Sequence, residues 1–267
     1  MPRTPAFRRS AELNYDIRTT VVKAGHVGVW WLGQATFCFK FGSTIVYTDP
    51  FYRDANHSLQ TLSETPLKPG EFVNAAMICC THEHLDHIDP ETLPGAVKAS
   101  PSARVVLPMW NVKFASEMGV PVERMAPLRG DDAYTLGGVT IRAIPAAHMT
   151  LDHDRKKGYR YLGYVMEGNG VRIYHTGDIQ PYPGWYERVK KLEPFDAVFL
   201  PISAVDNLHY LQAVYFCALH KPKLAVPMHY NMVPGYTEDP AKFTEALARN
   251  CPEQKTRIMK IGEGWMV

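Results

Sequence analysis

Residues 74–80, NAAMICC, form a continuous apolar run that stops abruptly at Thr81-His82-Glu83-His84-Leu85-Asp86-His87. A short unbroken run of this kind suits a strand buried on both faces, and such a strand needs a sheet covered on both sides. The segment after it places four metal-competent side chains, His82, His84, Asp86 and His87, within six residues. Imidazole nitrogen and carboxylate oxygen bind zinc and similar ions at about 2 Å. A loop at a strand end can curl so that His82 and His84 face one ion while Asp86 and His87 face a second. Strand ends suit this role, because the loop is free to shape a site while the sheet holds it still.

The same placement recurs further along. His148 follows the strand-like run VTIRAIPAA, Asp178 follows VRIYHTG, and His229 follows LAVPM. Gly177 lets the backbone approach closely just before Asp178. One histidine after a strand is usually a surface residue or a satisfied core residue. A dense cluster joined by three later strand ends reads instead as a metal site.

The rest of the pattern says what carries that site. VGVWWLG (27–33), ATFCFKF (35–41) and TIVYTDP (44–50) are β-branched and aromatic runs broken by glycine. Hairpin turns are predicted at Gly42-Ser43, Gly137-Gly138 and Asn169-Gly170. ARVVLP (103–108), DAVFL (196–200) and LAVPM (224–228) read as strands. Helical stretches fall at 111–119, 183–192, 206–219 and 239–250, the last opened by Asp239-Pro240. TRIMKI (256–261) is expected to close the chain as a strand. Strand meanders followed by strand–helix alternation in each half predict an α/β or α+β sandwich of sheets covered by helices. Residues 1–20 read as a polar arm without periodicity, 21–267 as one domain, and 51–74 as a surface excursion near the site.

Composition narrows the function. Formal net charge is +2 and no block of like charge occurs, so there is no nucleic-acid footprint. No apolar run is of membrane-spanning length, and MPRTPAFRRS lacks the apolar stretch of a signal peptide. The expected compartment is the cytoplasm. The five cysteines show no CxxC spacing and read as buried, reduced thiols.

THEHLDH resembles the HxHxDH signature of the metallo-β-lactamase superfamily, and His148, Asp178 and His229 match its later motifs in order. Trp31-Leu32-Gly33-Gln34-Ala35-Thr36, Thr48-Asp49-Pro50, Tyr174-His175-Thr176-Gly177-Asp178 and Pro227-Met228-His229-Tyr230 are similar to the branch of L-ascorbate-6-phosphate lactonase and N-acyl-phosphatidylethanolamine phospholipase D. The resemblance covers nearly all of the chain after about residue 25. It implies a four-layer αββα sandwich of two mixed sheets flanked by helices. It further implies one metal held by His82, His84 and His148, a second by Asp86, His87 and His229, and Asp178 bridging them. Asp49 resembles an aspartate that orients a ligand histidine from behind, though a plain turn residue before Pro50 is an equal reading. His175 is expected to pack or hydrogen-bond behind the metals. A glutamate at position 84 would point to di-iron redox chemistry; histidine there argues for hydrolysis.

The expected cofactors are two divalent ions, zinc first, with manganese or iron as alternatives. Two such ions about 3.5–4 Å apart can bridge a hydroxide and clamp a substrate oxygen, and Asp86 is the expected proton shuttle. The reaction expected is hydrolysis of a small anionic ester or lactone. A phosphodiesterase is the alternative, and a non-catalytic metal-binding scaffold ranks below both. Basic residues of the loop 149–158, beside His153, are candidates to meet an anionic substrate, and Arg53 and Tyr52, after the Asp49-Pro50 corner, are candidates to line the cleft. His209, on a predicted helix, reads as structural with a general acid as the alternative, and His26, His57 and His220 read as surface residues.

Overall fold

The structure is a computed structural model and describes residues 10–54 and 61–267. Helix α1 (Ser10–Thr19) precedes three antiparallel strands, β1 (Gly28–Gly33), β2 (Thr36–Phe41) and β3 (Thr44–Thr48). Gly42, at φ +61°, turns β2 into β3 as predicted. Strands β4 (Met77–Cys79), β5 (Arg104–Pro108) and β6 (Met125–Leu128) then add in parallel, joined by α2 (Thr92–Ala99) and α3 (Val112–Glu117). The apolar run before Thr81 is therefore an inner parallel strand, which explains why it is apolar on both faces.

The second sheet starts with the hairpin β7 (Ala133–Leu136) and β8 (Val139–Ala146). A short ribbon follows, β9 (His153–Asp154) with β10 (Gly158–Tyr159), and then the hairpin β11 (Tyr161–Gly168) and β12 (Val171–His175). Helix α4 (Trp185–Lys190) leads to β13 (Ala197–Pro201), α5 (Tyr210–His220) to β14 (Ala225–Met228), and α6 (Pro240–Asn250) precedes β15 (Gly264–Met266). The sheets have seven strands, in the order β15-β1-β2-β3-β4-β5-β6, and six, in the order β14-β13-β12-β11-β8-β7. Two large mixed sheets flanked by helices agree with the expected sandwich.

Period-two alternation builds the layers. Val29, Trp31, Phe37, Phe39 and Val46 cluster with Ile141, Ala143 and Val165 of the second sheet. Their chain neighbours Trp30, Leu32, Cys38, Ile45 and Tyr47 point the other way, onto Leu13 and Ile17 of α1 and Leu93 and Ala96 of α2. Phe199 of β13 meets Phe37 edge-on at 4.8 Å, locking the two sheets face to face.

Several expectations are corrected. Residues 10–19 are not a featureless arm: Leu13 and Ile17, four apart, bury one helical stripe. Two apolar residues are too few to show as periodicity. The helix is held at its far end by Lys40, whose Nζ donates to the carbonyls of Ile17, Arg18 and Thr20 at 2.7, 2.8 and 2.8 Å. Residues 1–9, and His57 within 55–60, lie outside the described residues. The stretch 51–74 is not wholly a surface excursion, because Phe51, Arg53, Leu67 and Phe72 are buried. TRIMKI does not form a strand beyond an isolated bridge from Thr256 to Ala225, and the chain closes with Gly264–Met266 against β1. His220 is buried and pairs with Glu193 Oε1 at 2.5 Å. Among the described residues no helix is long and apolar enough to cross a membrane.

Candidate metal centre

The loop after β4 folds back on itself. The backbone N–H groups of His87 and Ile88 both donate to His84 O, at 2.9 and 2.8 Å. This tight turn brings His82, His84, Asp86 and His87 to one side. Asp49, at the end of β3 with φ +41°, locks it from behind. Its Oδ1 accepts Thr81 N–H at 2.7 Å, and its Oδ2 accepts Thr81 Oγ1 at 2.9 Å and lies 2.9 Å from His87 Nδ1. A carboxylate only accepts here, so His87 keeps a proton on Nδ1 and turns Nε2 inward, the atom a metal would take. Thr81 Oγ1, its proton directed at Asp49, is 3.0 Å from His82 Nδ1 and orients that ring in the same way.

The second sheet contributes from the opposite side. His148 Nδ1 lies 2.5 Å from Asp206 O, which leaves Nε2 free, 3.0 Å from His84 Nδ1. Asp178 follows Gly177, where φ is +62° and a Cβ would come within 3.0 Å of Leu162 O and the Thr81 side chain. His229 follows β14 directly, at φ +64°. Asp178 Oδ2 is 3.6 Å from His148 Nε2 and 3.4 Å from His229 Nε2, while Oδ1 is 3.4 Å from His87 Nε2. His229 Nε2 is also 3.4 Å from Asp86 Oδ2. All the candidate ligands named from the sequence thus meet in one place. Three overlapping sets are each close enough to hold an ion: His82, His84, His148; His82, His87, Asp178; and Asp86, His87, His229, with ligand atoms within 4.8 Å of one another.

The donor atoms fit a cation. His82 Nε2, His87 Nε2 and Asp178 Oδ1 are buried without a hydrogen-bond partner. Leaving such atoms unpaired costs about 1–3 kcal/mol each, and a divalent ion among them removes that cost. Protonation agrees. Burial, and then the neighbouring His87, push His82 well below its ordinary pKa, and burial lowers His84 as well, so both offer lone pairs. Burial opposes ionisation of Asp86 and Asp178, but His87 and His229 outweigh it and hold both carboxyls well below the usual range. His87 and His229 are raised, His229 to about 9, because the same two carboxylates outweigh burial. A dication would satisfy those carboxylates and release the protons.

His175 is placed differently. Its Nε2 donates to Ala35 O at 2.9 Å, and its Nδ1 accepts Gly177 N–H at 3.2 Å. It braces the backbone before Asp178 against the β1–β2 turn and does not face the centre. Gln34 is the residue that sequence reading missed. Its Nε2 donates to Asp86 Oδ2 at 2.8 Å and also lies 2.8 Å from His229 Nε2. It lay within a recognised segment, WLGQAT, yet an amide in a turn carries no metal signal of its own.

Several basic and polar side chains around the site are held by neighbours, while Arg155 and Lys156 of the loop 149–158 are exposed. Arg53 is buried against Asp89 and over the Phe51 ring. Lys157 sits 4.7 Å over Trp110, and Arg160 pairs with Glu83 and Asp152. His209 caps the start of α5, accepting Leu211 N–H on Nδ1, and Tyr52 bonds Asp54.

Residues 44–230 match the family described as a beta-lactamase superfamily domain. The chain belongs to the metallo-β-lactamase superfamily. A UPF0173 metal-dependent hydrolase of Archaeoglobus fulgidus is 30% identical over 242 residues, 89% of this chain and 97% of that one. Another from Thermococcus kodakarensis is 32% identical over 219 residues, 81% and 90% of the two chains. In three dimensions Igni18, a metallo hydrolase of Ignicoccus hospitalis, shares the fold with TM-score 0.73 and 21% identity, over 91% of this chain and 98% of that one. The metallo-β-lactamase fold and its hydrolase relatives make this chain a metal-dependent hydrolase.

Proposed function

We propose that the chain hydrolyses a small ester or lactone at a centre of two divalent ions, zinc first and manganese or iron as alternatives. The reading is carried by the overlap of the ligand sets. His82, His84 and His148 would hold one ion, and Asp86, His87 and His229 the other. Asp178 would lie between, because its two oxygens reach toward both groups. The ions, when bound, supply an acidified water and polarise the substrate oxygen.

The protein's own groups do the rest. Asp49 and Thr81 fix the His82 and His87 rings, and Asp206 O fixes His148. Gln34 holds Asp86 Oδ2. The other Asp86 oxygen is the atom assigned to take the proton of the attacking water and return it to the leaving oxygen. Carbonyl esters and lactones are favoured over phosphodiesters because no Lys or Arg lines the pocket among the described residues. The lactonase side of the sequence resemblance is therefore preferred to its phospholipase side. A non-catalytic scaffold ranks lowest, since every candidate ligand position is filled and in place.

Elemental analysis of purified protein tests this. The expected result is about two equivalents of metal per chain, clearly reduced in His84→Ala, with ester or lactone turnover that chelation abolishes. Trace metal after zinc and manganese are added back would overturn the proposal.

A further inference from the structure

The pocket over the candidate metal centre has a polar floor of the candidate ligands with Gln34, Asp206 and Asn207, and an apolar part of its wall. Leu85, Val205, Val233 and Tyr236 line a cavity of about 260 Å³. Leu85, Tyr236 and Val205 remain 53%, 47% and 40% exposed although nothing polar requires it. Each sits on a loop that also serves the centre. Leu85 separates His84 from Asp86, Val205 precedes the Asp206 carbonyl that holds His148, and Val233 and Tyr236 follow His229. Exposed apolar side chains gathered at one mouth mark a binding surface rather than the scatter normal for a protein exterior. The cavity lies below the range of about 300–1,000 Å³ typical of drug-sized ligands, so its occupant is small.

Charge points the same way. Beyond the metal-competent residues, the charged side chain in the lining is Asp206, an acid. Outside the lining, Arg53 and Arg160 are paired with carboxylates and Lys157 lies over the Trp110 ring. A negative group reaching past the metals would meet no Lys or Arg among the described lining residues, and would face a carboxylate. An apolar group there removes its own surface and that of four side chains from water.

We infer that the substrate's tail, beyond the bond that is cut, is short, uncharged and apolar, and that it seats on Leu85, Val205, Val233 and Tyr236. The inference rests on the hydrolase reading for what the pocket holds, and it replaces the anionic substrate expected from the sequence.

The test separates binding from turnover. Calorimetry on the metal-loaded protein compares hexanohydroxamate with glutaric monohydroxamate, which share a metal-binding head and differ in the tail. Turnover compares p-nitrophenyl hexanoate with p-nitrophenyl hemiglutarate. Hexanohydroxamate is expected to bind at least about tenfold more tightly. Tyr236→Ser and Val205→Ser should weaken it severalfold with little change for the glutaric probe. Asp206→Asn, tolerated at its left-handed φ of +53°, should tighten the glutaric probe. Equal binding of the two probes, tighter glutaric binding, or binding of neither overturns the inference. Hydrolysis of both esters without tail preference keeps the hydrolase reading and sinks the pocket assignment. Tail preference without turnover of either ester does the reverse.

Discussion

Gln34 and Asp86, fifty-two positions apart, are joined by a 2.8 Å hydrogen bond from the Gln34 amide to Asp86 Oδ2. The same glutamine accepts His229 N–H on its backbone carbonyl at 3.3 Å. One turn residue of the first sheet therefore steadies a ligand of each sheet. Gln34→Leu keeps the volume and removes the donor. Turnover or metal affinity should fall about 10- to 100-fold, with little change in the melting temperature of the metal-free protein. Unchanged kcat and metal content would show that Asp86 needs no such support.

Asp49 offers a sharper test, because Asn is nearly isosteric. In Asp49→Asn one oxygen can still accept Thr81 N–H, but an NH2 group then faces His87 Nδ1. His87 must move its proton to Nε2, the atom meant for the metal. Metal affinity should drop at least about tenfold, measured by chelator competition. Nitrogen NMR of the His87 ring should report the tautomer change, and an unshifted spectrum would contradict it.

Asp86→Ala removes both a ligand and the assigned proton carrier. Turnover is expected to fall by about 10²-fold or more, while circular dichroism stays that of the folded protein. Full activity in this variant would remove Asp86 from the mechanism.

Lys40→Met addresses the fold. Burial lowers the lysine below its ordinary pKa, yet its Nζ satisfies three carbonyls at the end of α1. Losing those bonds should cost about 1–3 kcal/mol. Amide exchange should speed up in α1 before it does in the sheets.

His220 gives a pH dependence. Burial depresses its pKa, against the pull of Glu193. The folded state therefore resists protonation that the unfolded chain accepts. Stability contributed by neutral His220 is present above its unfolded pKa of about 6.5 and is lost as pH falls below it. His220→Gln should flatten the acid limb of a Tm-against-pH curve, and an unaltered limb would rule the histidine out.

What the sequence made legible follows from signal strength. His82, His84, Asp86 and His87 were readable because metal chemistry uses few residue types and they crowd one strand end. His148, Asp178 and His229 were readable because each also ends a strand. Inner strands such as Met77–Cys79 announced themselves by unbroken apolarity. Helix Ser10–Thr19 did not, since Leu13 and Ile17 are its buried residues and the Lys40 contact that secures it is remote in sequence. Gln34 was silent because a supporting amide is recognised by its neighbours in space. The chemistry of the substrate is silent for a similar reason. A basic residue in the sequence does not say which acid it will meet, and Arg53 met Asp89.

The candidate ligands divide between the two halves of the sandwich: His82, His84, Asp86 and His87 hang from the first sheet, and His148, Asp178 and His229 from the second. A cation gripped by all of them would act as a rivet between two plates otherwise joined by apolar contact and hydrogen bonds such as Tyr164 OH to Cys80 O. Its removal would leave each plate intact but free to slip at that rim, so loading with metal should raise the whole protein's resistance to heat as well as arm its chemistry.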